Sequence, residues 1–344
     1  MLSSVAQRFY WTGRYLERVE NTARLLNVYT QLLLDLPPEA GVTMRHLVRI
    51  SGAEELFDSK RRWPLETSVV RFMTVDRENP GCILSSLAGA RENLRTLRDI
   101  VPTEGFRSAN ELYLNADRKL TRAAIRRLRF TVLQEVIEHC QQLNGLFAGT
   151  MSHGEGFSFL KLGRNLERAD MTTRIIDVAG ELLVDGDSAQ LIEHETILWV
   201  NVLRSLSAYQ AYRQSVRSRI VPVRVLHFLM NDELFPRSLA YCLGEVKESV
   251  DALPNPQAAQ TALANMKRKI DSVSIRELAS SALHKHIDDF QVELAAIHTA
   301  IDQTWFRHDR EPGPAPTSGL AASEPLSTTT ATDGGVVTDQ SQKQ

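Results

Sequence analysis

A six-residue pattern, Gly-Arg-x-Leu-Glu-Arg, occurs twice in this chain, at residues 13–18 and 163–168. Around the first copy, the residues of one mainly apolar stripe, which starts with Thr12 and Leu16, follow one another at alternating intervals of four and three residues. This spacing lines one face of an α-helix. The repetition therefore predicts two helical units related by a pseudo-twofold axis.

Further matches extend the repeat beyond the six residues. At an offset of 150, the identical pairs also include Thr22/Thr172, Arg24/Arg174 and Val28/Val178. A second match, at an offset of 156, aligns "FMTVDRENP" (72–80) with "FLMNDELFP" (228–236). Two matches in the same order indicate an internal duplication. We therefore predict a first repeat at 1–150 and a second at 151–308, packed as one globular unit.

Helical periodicity dominates the whole chain, and no clear strand-like alternation is found. The sequence predicts an all-α helical bundle built from two tandem, pseudo-twofold-related repeats. The first helix should stop at "DLPPEAG" (35–41), because proline cannot donate a backbone hydrogen bond. Each of four longer stretches is predicted as one continuous helix: 43–57, 118–147, 190–216 and 256–307. Residues 309–344 are rich in Pro, Ser, Thr and Gly and are predicted to be a disordered tail.

Composition narrows the class of partner. The 344 residues include 40 basic and 42 acidic side chains, for a formal charge of −2. With no global field, neither a nucleic acid nor a membrane is predicted as a partner, and any anion site must be local. The three cysteines offer no disulfide framework. Without a signal-peptide core or an apolar run of about 18 residues, the chain is predicted to be cytoplasmic.

The repeated helices carry a second line of residues beside the apolar stripe. On the first helix it includes Glu17, Glu20 and Arg24, and on the second it includes Glu167, Asp170 and Arg174. Four more arginines flank these lines: Arg14, Arg18, Arg164 and Arg168. One interpretation is structural: glutamates and arginines neutralise each other where the repeats meet, and the glycine of each pattern lets the facing backbone approach closely.

Two functional interpretations remain open beside the structural one. In the first, the arginines bind a carboxylate or phosphate through their planar forks, with the acids orienting them. The candidate anion-binding residues are Arg14, Arg18, Arg24, Arg164, Arg168 and Arg174. In the second, Glu17, Glu20, Glu167 and Asp170 bind magnesium or manganese, although the arginines would compete for the carboxylates. No cofactor is predicted under the first interpretation, and the sequence does not decide whether the protein is an enzyme.

A histidine pair at "HKH" also needs an interpretation. His284 and His286 lie about 200° apart on a helix, which is a poor geometry for sharing one metal ion. A structural or surface role is therefore predicted for this pair.

Five separated stretches carry a resemblance to a known family. They are "YWTGRYLERVENTARLL" (10–26), "GARENLR" (89–95), "FLKLGRNLERADMTTRII" (159–176), "SAYQAYR" (207–213) and "FPRSLAYCL" (235–243). Together they resemble the alpha-E domain family, bacterial all-helical proteins of unknown function with a repeated Glu-Arg motif. The resemblance covers about residues 1–308.

The resemblance implies a context more than a mechanism. Members of the family are usually encoded beside, or fused to, circularly permuted ATP-grasp proteins and transglutaminase-like proteins. It thus implies an ATP-grasp ligase and a transglutaminase-like protein as partners, in the synthesis or modification of small peptides. The expected role is a binding or accessory component, and the alternative is an enzyme that uses the paired carboxylates with a divalent metal.

Overall fold

The two helices that carry the repeated pattern lie side by side at the centre of the molecule. In this computed structural model they are α1 (Ser3–Asp35) and α8 (Glu155–Val184). The structure describes residues 1–37, 41–59, 65–184, 189–279 and 283–307. These residues all belong to one compact unit. The predicted tail at 309–344 lies outside them.

The described residues contain fifteen α-helices and no strand, which confirms the predicted all-α class. Besides α1 and α8, the helices are α2 (Arg45–Ile50), α3 (Glu54–Ser59), α4 (Glu66–Thr74), α5 (Ile83–Thr96), α6 (Thr103–Lys119), α7 (Arg126–Thr150), α9 (Ala189–Ser205), α10 (Tyr209–Ser215), α11 (Pro222–Asn231), α12 (Leu239–Asp251), α13 (Gln257–Asp271), α14 (Ile275–Leu278) and α15 (Leu283–Ile301). A short 3-10 helix, Leu120–Ala124, separates α6 from α7.

Helix α1 is buried around almost its whole circumference, because α5, α7, α8 and α9 all pack against it. The predicted apolar stripe is inside, with Leu16 and Val19 fully covered. The charged edge is inside as well, since Glu17 and Glu20 are also buried. The helix ends at Asp35, just before the first proline of "DLPPEAG", as predicted. Helix α1 is therefore a central helix that carries charged side chains into the core of the protein.

The surroundings of α1 and α8 correspond to each other. Helix α5 packs on α1, and α12 packs on α8. The turns that precede these helices contain Asp76 and Asp232, the identical residues of the second sequence match. Asp76 Oδ1 accepts a hydrogen bond from the Glu78 N–H at 3.0 Å, and Asp232 Oδ1 accepts one from the Leu234 N–H at 2.9 Å. The duplication itself, and the boundary between its halves, stay predictions.

Four stretches predicted as single helices are interrupted: 43–57, 118–147, 190–216 and 256–307. The first is wrong because Gly52 adopts a φ of 65°, a left-handed value that breaks the helix between α2 and α3. In the second, Ile125 is extended. In the third, Ser207 has a φ of 53°. In the last, Ser274 and Glu277 form a capping box that starts α14, a signal that was readable in the sequence.

Candidate functional site

The glycines of the repeated pattern let α1 and α8 touch backbone to backbone. A Cβ atom on Gly13 would overlap the carbonyl oxygen of Leu160, and one on Gly163 would overlap the carbonyl oxygen of Tyr10. Leu160 and Tyr10 are themselves matched at the offset of 150. The close approach is therefore reciprocal, and it brings the charged edges of both helices within hydrogen-bonding reach.

The arginine of each Glu-Arg pair forms an ion pair with the glutamate of the other helix. Arg168 donates to Glu17 from its Nε at 3.1 Å and from its Nη2 at 2.7 Å. Arg18 donates to Glu167 from its Nε at 2.6 Å and from its Nη2 at 3.1 Å. Each guanidinium thus grips the opposite carboxylate with two parallel hydrogen bonds, the strongest geometry for this pair. This is the arrangement that the structural interpretation predicts.

Both glutamates stay ionised although they are buried. Glu17 and Glu167 are 0% and 1% exposed. Burial alone would raise the pKa of Glu17, but Arg168 and Arg237 outweigh it and hold that pKa well below its ordinary value. Burial likewise opposes ionisation of Glu167, yet Arg18 and Arg14 lower its pKa to about 2. The site is therefore a buried, fully charged network.

Arg237 is a member of this network that the sequence reasoning missed. It lies in the turn before α12, and its Nη1 donates to Glu17 Oε1 at 2.5 Å. Its Nη2 donates to Glu20 Oε1 at 2.8 Å, and its Nη1 also donates to Asn21. Arg237 lies in the stretch "FPRSLAYCL", which carries part of the family resemblance. Its matched position in the first half is Gly81, so the comparison of the repeats does not identify it.

Arg237 makes the two halves of the network unequal. Arg14 donates from its Nε to Glu167 at 2.6 Å and from its Nη1 to the Tyr10 hydroxyl at 3.0 Å. The matched Arg164 forms no ion pair with a described residue, and its buried Nε has no hydrogen-bond partner there. Burial and the neighbouring Arg168 lower the pKa of Arg164. Arg237 thus takes the partner that the repeat would assign to Arg164.

The two remaining predicted arginines pair within their own helices. Arg24 Nη2 donates to Glu20 at 2.5 Å, and Arg174 Nε donates to Asp170 at 3.1 Å. The six predicted arginines therefore do not surround one common point. The carboxylates predicted as alternative metal ligands all accept hydrogen bonds from arginines, so a magnesium or manganese ion would have to displace these donors. That alternative stays a prediction.

A cleft of about 250 Å³ opens beside this network, between α1, α7 and the end of α9. Its walls include Arg24, Asn27, Phe130, Gln141 and Arg204. Arg24 and Asn27 are 7% and 6% exposed. The Nη1 of Arg24 and the Oδ1 of Asn27 are buried and have no hydrogen-bond partner among the described residues. One cationic donor and one acceptor at this cleft are therefore left to be satisfied.

The network next to the cleft carries excess positive charge. Five guanidinium groups share three carboxylates, because Arg14 and Arg18 bind Glu167 while Arg168, Arg237 and Arg24 bind the glutamates of α1. Unbalanced buried charge is costly. An anion in the neighbouring cleft would reduce this imbalance.

Comparison with known proteins places these features in a family. The chain is 21% identical, over 321 residues, to uncharacterized proteins of Mycobacterium bovis and Mycobacterium tuberculosis. The match covers 86% of this chain and 35% of the mycobacterial proteins, so the chain spans about a third of their length. No solved structure matches significantly. Among the described helices, none has the length and hydropathy of a membrane span.

A family model matches residues 1–306 and describes a predicted alpha-helical domain with a conserved ER motif, named Alpha-E. The Glu-Arg pairs at 17–18 and 167–168, which exchange partners between α1 and α8, fit that description. The chain belongs to the Alpha-E family.

Proposed function

We propose that this protein is a binding or accessory component with an anion site, acting with an ATP-grasp ligase in the synthesis or modification of small peptides. The observation that supports the anion site is the cleft beside α1. There, Arg24 keeps one buried guanidinium nitrogen without a described partner, and Asn27 keeps one buried amide oxygen without one. Buried polar groups left unsatisfied are costly, so such atoms favour a ligand that pairs with them.

The chemistry of the cleft favours a carboxylate. Arg24 and Arg204 both line it, and a guanidinium fork matches the two oxygens of a carboxylate. Arg204 also lies over the ring of Tyr209, with its Cζ 5.8 Å from the ring centroid, which orients the guanidinium. The excess positive charge of the adjacent network adds a favourable field for an anion.

A peptide satisfies the remaining groups better than a simple anion does. Asn27 Nδ2 already donates to the carbonyl of Phe130 at 3.5 Å, so its Oδ1 is left as an acceptor for an N–H. A peptide carries an amide N–H close to its terminal carboxylate. The cleft is also lined by the apolar side chains of Val28 and Ile137, against which a side chain of the peptide can pack.

The ligase partner rests on the family resemblance. An ATP-grasp enzyme converts a carboxylate into an acyl phosphate and joins it to an amine, so a companion that holds a peptide carboxylate fits that reaction. The match covers 35% of the mycobacterial relatives, so the region that resembles this chain lies beside further sequence in those proteins. This is consistent with a module that works next to other components. A cytoplasmic location, where ATP is available, belongs to the same proposal.

The site can be tested by calorimetric titration with short peptides, comparing peptides that have a free C-terminal carboxylate with the same peptides amidated at the C-terminus. We expect binding of the free carboxylate, a loss of at least about tenfold on amidation, and a similar loss in Arg24→Gln. Arg174→Gln is the matched control, because Arg174 pairs with an acid four residues away in the same way but lies outside the cleft. Equal losses in both variants, or no binding by the folded wild type, would contradict the site.

Association with the ligase needs a separate experiment. A tagged ATP-grasp ligase of the kind that the family resemblance implies should retain this protein in a pulldown, and the activity of that ligase should fall when the protein is omitted. No retention together with unchanged ligase activity would refute the partnership. The peptide titration above would still decide the anion site.

A further inference from the structure

The cleft beside α1 lies between two helices that run in opposite directions. Near the middle of α1, Glu20 accepts a hydrogen bond from Gln141 of α7 at 3.4 Å. Further along α1, Thr30 accepts one from Arg129 at 2.9 Å, and Arg129 lies twelve positions before Gln141 on α7. The C-terminal end of α1 therefore lies beside the N-terminal end of α7, and a ligand in the cleft can extend toward that end.

The face of α7 that lines the cleft continues to the first turn of this helix. The residues of α7 in the cleft wall recur at intervals of three and four, which places them on one helix face: Phe130, Gln134, Ile137 and Gln141. Arg126 and Arg127 precede Phe130 by four and three positions, so they extend the same face by one turn. Phe130 itself is 55% exposed. One helix face thus leads from the cleft, past an apolar ring, to two arginines.

The arginines at this end of α7 outnumber the acids. Arg126 lies 3.5 Å from Glu66, but Glu66 also pairs with the buried Arg129 at 2.5 Å. Arg127 is exposed and forms no ion pair with a described residue. The first turn of α7 contains no acid and has no side-chain cap, so its arginines repel the positive end of the helix dipole. Asp35, the last residue of α1, offsets only one of these charges. A negatively charged ligand would therefore be stabilised here.

We propose that the peptides bound in the cleft are acidic. Their C-terminal carboxylate pairs with Arg24, and side-chain carboxylates nearer their N-terminus pair with Arg127 and Arg126. This inference rests on the proposed function, because it takes the peptide site at Arg24 as given. It adds the substrate class: peptides that carry glutamate or aspartate several positions before an uncharged C-terminal segment.

The position of the acidic residues follows from the length of the groove. Arg24 and Gln141 donate to the same oxygen of Glu20, so Gln141 marks the position of the Arg24 guanidinium along α7. Arg127 lies fourteen positions before Gln141, which corresponds to about 21 Å along the helix axis. An extended peptide covers this distance with about six residues. The acids are therefore expected about four to six positions before the C-terminal residue.

The groove between its two charged ends favours a peptide over a nucleic acid. The cleft wall there is uncharged and partly apolar, and it includes Val28, Gln31, Phe130, Gln134 and Ile137. A nucleic acid strand carries a charge at every nucleotide, so it would place phosphates against these uncharged side chains. A peptide can separate its terminal carboxylate from its acidic side chains by apolar residues, which matches the order of side chains along the groove.

Calorimetric titration of the full chain at about 50 mM salt, where exposed charges are weakly screened, tests the proposal. The probes are acetyl-Glu-Glu-Glu-Ala-Leu-Ala-Ala with a free C-terminus and the same peptide with three glutamines in place of the glutamates. We expect the acidic peptide to bind about fivefold more tightly, as befits exposed ion pairs. Arg127→Gln should reduce this preference to less than about twofold, and Arg127→Glu should favour the neutral peptide.

Arg268→Gln is the matched control. Arg268 on α13 is also an exposed arginine without an ion pair to a described residue, and α13 packs on α12 and α15 rather than along the groove. This variant loses the same charge and should keep the preference for the acidic peptide. Because Arg127 is exposed, its variants should keep the far-UV circular dichroism of the wild type.

The outcomes separate this inference from the proposed function. Equal affinity for both peptides, with both weakened in Arg24→Gln, would overturn the acid preference and leave the peptide site intact. A preference that persists in Arg127→Gln would also overturn it. Binding of neither peptide would overturn the peptide site and the acid preference together. Tighter binding of a thymidine heptanucleotide than of the acidic peptide would assign the basic end to nucleic acid instead.

Discussion

Arg168 of α8 and Glu17 of α1 are joined by two hydrogen bonds, from Nε at 3.1 Å and from Nη2 at 2.7 Å. The Glu17 side chain has no exposed surface, and that of Arg168 is 13% exposed. The matched residues Arg18 and Glu167 form the same pair in the opposite direction. A charged motif repeated 150 residues apart therefore ties the two central helices together.

The first prediction concerns the buried carboxylates. Glu17→Gln and Glu167→Gln should each lower the free energy of unfolding by about 3–5 kcal/mol. Glu167→Gln leaves Arg14 and Arg18 without a charged partner, and Glu17→Gln leaves Arg168 without one and removes one of the two carboxylates that bind Arg237. Denaturant unfolding measures this. Glu92→Gln is the control, since its pair with Arg95 is exposed and should contribute about 0.5 kcal/mol or less. A loss below about 1 kcal/mol for both core variants would show that the network is not a structural brace.

The second prediction concerns the close approach of the helices. Gly163→Ala should destabilise the protein by at least about 2 kcal/mol, because its Cβ would overlap the backbone of Tyr10 and force α1 and α8 apart. Gly145→Ala on α7 is the matched control, since a Cβ built there meets no atom within 4 Å outside its own helix among the described residues. It should be neutral or stabilising by up to about 1 kcal/mol, as expected for glycine in a helix interior. Thermal unfolding compares the two, and equal effects would contradict the prediction.

The third prediction tests the asymmetry that Arg237 creates. Arg14→Met should destabilise by about 3 kcal/mol or more, because it removes a buried partner of Glu167. Arg164→Met, at the matched position, should be neutral or stabilising, because it removes an unpaired buried nitrogen and a like charge beside Arg168. Denaturant midpoints of the two variants decide between these expectations. A large loss in Arg164→Met would show that this guanidinium has a partner of equal importance.

The fourth prediction is a pH dependence from His298 on α15. Tyr10 Oη lies 2.7 Å from His298 Nδ1, and burial together with the nearby Arg14 lowers the pKa of His298 to about 3. An unfolded histidine has a pKa of about 6.5. Between these values the unfolded chain binds the extra proton, so stability is present above pH 6.5 and is lost as the pH falls toward 3.

The slope of the unfolding free energy against pH can assign this pH dependence to His298. Between pH 6 and pH 5, His298 should contribute about 1.2 kcal/mol of lost stability, because the unfolded histidine is already mostly protonated at pH 6. Denaturant unfolding of His298→Gln at several pH values should show a slope smaller by that amount. The buried glutamates titrate in the unfolded chain only near their ordinary pKa of about 4.3, so they interfere little in this window. Identical slopes for the variant and the wild type would refute the assignment.

Much of the architecture was readable from local pattern. The three- and four-residue spacing predicts α1 and α8, and Pro37 and its neighbour predict where α1 stops. Repetition of Glu17-Arg18 as Glu167-Arg168 predicted that the two helices meet, and glycine in each pattern predicted a close approach. These inferences succeed because helix periodicity and backbone sterics act between residues close in sequence.

Other features were decided only by the tertiary structure. Arg237 reaches Glu17 across 220 positions of the chain, and Asp177 meets His284 across 107. Neither contact has a local signature, because both depend on how α12 and α15 dock on the central pair. By itself, the sequence determined which helices carry charge and that they form a pair. The packing of the helices decided which arginine forms an ion pair, which one stays without one, and where a cleft opens. Identical side chains differ in their partners, and in what they contribute to stability, because burial and distance differ between them.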